Sequence, residues 1–135
     1  PLQRNSVMIA RIFLSFIALS IGTIGVFYLY EPNLLLARYD LMTGSAGMDN
    51  MLRSTYGGLF LTSALVFLYG VIVVDRQRDV LAFVAIFMAG AALGRIASIL
   101  AVGSPPAAIM PLLYFEIVTA AIAVGLYRRV PKGQK

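Results

Sequence analysis

Neither cysteine nor histidine occurs among the 135 residues. That removes disulfides, thiol nucleophiles, imidazole general bases and the usual axial ligands of haem together. Tryptophan is also missing, and only 13% of residues are charged. The six carboxylates and six methionines that remain as metal ligands have no close pair at a ligand spacing, so neither a metal nor a cofactor is expected. No pairing of nucleophile with base and no phosphate loop is visible, and an enzyme is not expected.

Hydrophobicity is what the chain has in excess. Hydrophobic residues make up 60% of it and its mean hydropathy is +0.87, which is wrong for a soluble domain of this length. Four apolar runs, about residues 7–30, 56–74, 80–100 and 107–127, reach the length of about 20 residues that crosses a bilayer core. They are continuously apolar and lack the period of two that a membrane barrel strand shows. The expected fold is an all-α integral membrane four-helix bundle, a single four-span domain over residues 1–135. The first run exceeds a signal-peptide core and no small-residue cleavage site follows it, so it is expected to be retained.

Lysine and arginine set the orientation. With four spans, both termini and the second connection share one side, which carries Arg4, Arg76, Arg78, Arg128, Arg129, Lys132 and Lys135, with Arg11 just inside the first span. The opposite side carries only Arg38 and Arg53. Both termini are expected to be cytoplasmic, in a cell inner membrane. The formal charge of +5 then reads as topogenic residues touching anionic membrane lipids, and nucleic acid is not an expected partner.

Two connections are short: DRQRD between spans two and three, and VGSPP between spans three and four. The first, Glu31 to Thr55, runs to roughly 25 residues, longer than a bundle needs. Pro32 suits a first helical turn and Gly44 a helix stop, with Leu34, Ala37 and Leu41 on one face; a short interfacial helix is expected, with an ordinary loop over the bundle as the alternative. TGSAG reads as a flexible joint, and Asp49 as the cap of a turn leading into span two.

Two charges fall inside spans. Arg95 is expected at about 8 Å below the far interface and Glu116, on the antiparallel neighbour, at about 14 Å. A helical side chain leans towards its own N-terminus, so the two lean towards each other. In RSTYGGLF, Arg53 stands one turn before Gly57, and Tyr56 offers a hydroxyl at interface depth. The candidate polar cluster is therefore Arg53, Tyr56, Arg95 and Glu116, with a net charge of +1 that favours a lipid phosphate or a carboxylate. Against this stands a plainer reading, in which the ion pair only fixes helix register. Small residues seat neighbouring helices in lipid, and Gly22, Gly25, Gly57, Gly58, Gly90 and Gly94 are the expected contact points. Tyr28, Tyr30, Tyr114 and Tyr127 fall near the interfaces and are explained by belt anchoring.

With Pro32 after the first span, Arg53 before Tyr56-Gly57-Gly58, Gly94-Arg95 and Glu116, the chain resembles a family of small bacterial four-span integral membrane proteins known only as a domain of unknown function. The resemblance covers nearly the whole chain and implies the fold, without supplying an activity, substrate or cofactor. Three functions remain open. The first is an accessory or assembly subunit docked on other membrane protein subunits, motivated by small size and several small-residue faces. The second is a binder or carrier of a lipophilic anion in the Arg/Glu/Tyr pocket. The third, a proton-coupled exporter of the small multidrug-resistance type, fits poorly, because those proteins carry their glutamate in the first span.

Overall fold

The computed structural model describes residues 2–131. Lys132 and Lys135, counted above among the orienting charges, lie outside the described residues. Four long apolar helices run antiparallel in sequence order: α1 (Leu2–Tyr30), α3 (Ala46–Ile72), α4 (Gln77–Val102) and α5 (Met110–Arg129). A short helix, α2 (Asn33–Leu36), follows α1 and tightens into a 3-10 turn at Ala37–Tyr39. No strand occurs among the described residues. Ser6 Oγ donates to the Arg129 carbonyl at 3.3 Å, so the two ends of the bundle's chain meet at one end, here the terminal end.

Local chemistry sets the boundaries. Val73, outside helical space at φ −99° and ψ 89°, ends α3, and α4 restarts after a 3-10 turn at Val74–Arg76. Gly103 ends α4 with φ 93°, a conformation that favours glycine. Pro111 lies in the first turn of α5, where its missing N–H costs nothing.

The first connection is more built than expected. Helix α3 starts at Ala46, ten residues before the predicted span, because Ser45 caps it: the Ser45 Oγ accepts from the Met48 N–H at 3.2 Å. Asp49 is therefore not the cap. The turn after α2 ends at Asp40, which takes φ 55°, and not at Gly44. Thr43, placed in the presumed joint, donates its N–H to Asn33 Oδ1 at 2.9 Å, and Asn33 in turn donates to Glu31 Oε1. Pro32 is buried, whereas Leu34 and Leu41 are exposed.

Packing divides the four spans into two pairs. Helix α1 lies against α3 along most of its length, α4 lies against α5, and the pairs meet mainly through α3 and α4. The core sits at the terminal end, where Leu14, Ile17, Phe67, Leu81, Val84 and Met88 are fully enclosed. Towards the far end α4 is exposed on most sides. Leu19, Ile86 and Leu100 expose 72%, 73% and 82% of their surface, a level that suits hydrocarbon and not water. The chain is a multi-pass membrane protein built as an all-α four-helix bundle.

Candidate functional site

Arg95 and Glu116 form a side-on ion pair between α4 and α5. Arg95 Nε donates to both carboxylate oxygens, at 3.0 and 2.9 Å, and Nη2 donates to Oε1 at 2.8 Å. The Glu116 side chain is 9% exposed and that of Arg95 32%. Both sit at nearly the same depth. Arg95 is seven residues before Val102 and Glu116 six after Met110, about 10 Å from the far helix ends in each case. The expected mismatch vanishes because α4 runs two residues further and α5 starts three later than the apolar runs suggest.

The pairing uses two of the three guanidinium nitrogens. Nη1 has no hydrogen-bond partner among the described residues, and its two N–H groups form the open edge of the site. The Tyr28 and Tyr56 rings lie 5.1 Å apart, tilted by 31°. From Tyr56 a run of aromatic contacts leads inward through Phe60 (5.3 Å) and Phe87 (5.9 Å) to Phe67 in the core (6.2 Å).

Tyr56 lies in a π-helical segment, Arg53–Leu59, within α3. Wide turns of this kind are rare and concentrate at functional sites. The paired glycines Gly57 and Gly58 fall within it.

Arg53 does not join this cluster. Its Nε donates to Asp49 Oδ2 at 2.7 Å, one turn away on the same helix, and its Nη1 donates to the carbonyls of Leu29 and Tyr30, the latter at 2.8 Å. Those carbonyls close the last turn of α1, where a cation is favoured. The spacing of Asp49 and Arg53 at i, i+4 was visible in the sequence and offered this partner. With Arg53 withdrawn, the predicted net charge of +1 is not assembled: Arg95 and Glu116 cancel, and so do Arg53 and Asp49.

The glycines sort into two classes. A Cβ on Gly25 would meet the Leu61 backbone nitrogen at 2.9 Å, one on Gly57 the Leu29 side chain at 2.7 Å, and one on Gly22 the Ala64 Cβ at 3.2 Å. These three seat α1 against α3. Gly58 meets only its own helix at 3.9 Å, and Gly90 and Gly94 have nothing within 4 Å. The last three are therefore not helix contacts within this chain, since Gly90 and Gly94 lie on the exposed back of α4. Gly70, which sequence reading missed, meets Val80 at 2.8 Å where α3 turns into α4.

At the terminal end, Tyr127 is more than a belt residue, because the Arg78 guanidinium lies 4.4 Å over its ring. Among the described residues no group of three or more Asp or Glu is placed to hold a metal.

A family model described as a domain of unknown function, DUF4345, matches residues 9–127. The chain belongs to the DUF4345 family. The match takes in all four spans, the first connection and both members of the ion pair. No curated protein and no solved structure matches this DUF4345 chain.

Proposed function

We propose that this DUF4345 protein is a membrane-embedded binding protein whose site is the open edge of Arg95. The observation that supports it is an ion pair with a donor left over. Glu116 engages Nε and Nη2 of Arg95, and Nη1 is left without a hydrogen-bond partner among the described residues at membrane depth. An unsatisfied donor in hydrocarbon is costly, and a bound acceptor relieves that cost. Native mass spectrometry of protein extracted gently from its own membranes tests this. A retained small molecule is expected in the wild type and absent from the Arg95→Met, Glu116→Met double variant; a bare wild-type protein refutes it.

A second reading, an accessory or assembly subunit docked on a larger membrane complex, is favoured by the back of α4. Gly90, Gly94, Ala97 and Ala101 form an exposed small-residue face at the spacing that lets another helix approach closely. The same spectra test it: a stoichiometric protein partner, lost in Gly90→Leu, is its expected signature. The excess of arginine at the terminal end supports cytoplasmic termini in an inner membrane. The exporter reading loses ground, because Glu116 is held by two guanidinium nitrogens and enclosed on nearly all sides.

A further inference from the structure

We infer that the ligand of the Arg95 site is an uncharged lipophilic molecule presenting a carbonyl oxygen (an ester, ketone or amide), and not an anion. The inference rests on the binding reading above and names its ligand class.

Arginine offers donors only, so whatever meets Nη1 must be an acceptor. An anion would be the ordinary choice if the site carried net positive charge, and it carries none. Glu116 already takes Nε and Nη2, at 2.8 to 3.0 Å, and its side chain is only 9% exposed. Arg53 is committed to Asp49 and to two backbone carbonyls. Glu116 is the only carboxylate in an ion pair with Arg95 among the described residues.

A carboxylate or phosphate arriving at Nη1 would leave water without an uncompensated cation to receive it, and would stand near the carboxylate of Glu116. A carbonyl oxygen meets neither penalty. It accepts one Nη1 proton in line and brings no charge to an already compensated pair. The apolar remainder of such a molecule is at home about 10 Å below the helix ends. Two sources share this chemistry, the ester carbonyl of a membrane lipid and a free lipophilic carbonyl compound.

The test is a comparison of two probes that share one acyl chain and differ in charge, dodecanoate and its methyl ester. The intact chain is placed in nanodiscs of diether phosphatidylcholine, which has no carbonyl of its own, at about pH 8, where a fatty acid is ionised. Binding is read from tyrosine emission, which no tryptophan obscures in this protein. The methyl ester is expected to bind at least about tenfold more tightly at equal mole fraction in the bilayer. Dodecanoate binding equally well or better overturns the ligand class and leaves the binding reading standing, whereas binding of neither probe overturns both. Glu116→Gln, which leaves the charge of Arg95 uncompensated, is expected to reverse the preference; a folded variant with unchanged preference overturns the argument, and if the variant does not fold the wild-type comparison decides. Repeating the titration in ester-linked phosphatidylcholine separates the sources. Competition identifies the lipid ester as an occupant, and an unchanged titration points to a free carbonyl compound.

Discussion

The two helix pairs of this bundle are held together by opposite means. Helices α1 and α3 touch through missing side chains: Gly25 and Gly57 bring the two helix backbones close and Gly22 seats the Ala64 Cβ, so dispersion and close approach do the joining. Helices α4 and α5 share an ion pair, and the glycines of α4 face away from the partner. The first pair is a geometric fit that tolerates no added atoms. The second depends on charge matching at depth, and it leaves an edge of Arg95 unpaired and the back of α4 bare. The contrast separates a part of the molecule explained by its own stability from a part with chemistry left over.

A graded series of substitutions would break or sharpen this contrast. Glu116→Ala strands a guanidinium at membrane depth and should cost about 3 to 5 kcal/mol, whereas the Arg95→Met, Glu116→Met double variant should be neutral or more stable by about 1 to 4 kcal/mol. Equilibrium unfolding in mixed micelles measures both, and a double variant as weak as the single one would show that the pair is more than a compensated charge. Gly25→Ala comes next, at about 1 to 3 kcal/mol, because its Cβ meets backbone at 2.9 Å. Gly22→Ala, meeting only the Ala64 Cβ at 3.2 Å, should cost less; equal losses would argue that the α1 and α3 contact is not graded by distance.

On the other pair the sign should invert. Gly90→Ala and Gly94→Ala add a methyl into open space in a helix interior, so each should stabilise the isolated chain by about 0.5 to 1 kcal/mol. A loss of stability in the isolated chain would place a packing partner there. Asp49→Ala should have the smallest effect, about 0.3 to 0.5 kcal/mol, because its pair with Arg53 is partly solvated, with side chains 31% and 34% exposed. A larger loss would mean that Asp49 steers Arg53 onto the carbonyls of α1.

The site was legible in part. Arg95 and Glu116 stand out because charges are rare in spans, and antiparallel neighbours of matching lean have few other partners. The contact of Tyr28 with Tyr56 is not recognisable from sequence, since a tyrosine near an interface has a sufficient explanation in its amphipathic ring. Arg53 shares a helix face with Gly57, but Asp49 four residues earlier offers it a nearer partner. Ser45 and Asp49 are both acceptable capping residues, and choosing between them requires the path that Asn33 and Thr43 impose on the connection.

By itself the sequence determined that the chain crosses a membrane four times, that its elements are helices, and that two opposite charges share the far half of adjacent spans. Those are properties of single segments, decided by apolar length against bilayer thickness and by the cost of charge in hydrocarbon. Only the tertiary structure decided which glycines touch a neighbour, where Arg53 spends its charge, and that the Tyr28 and Tyr56 rings meet. These depend on the rotation and depth of each helix relative to the others, set by packing summed over many residues, and a one-dimensional pattern does not contain them.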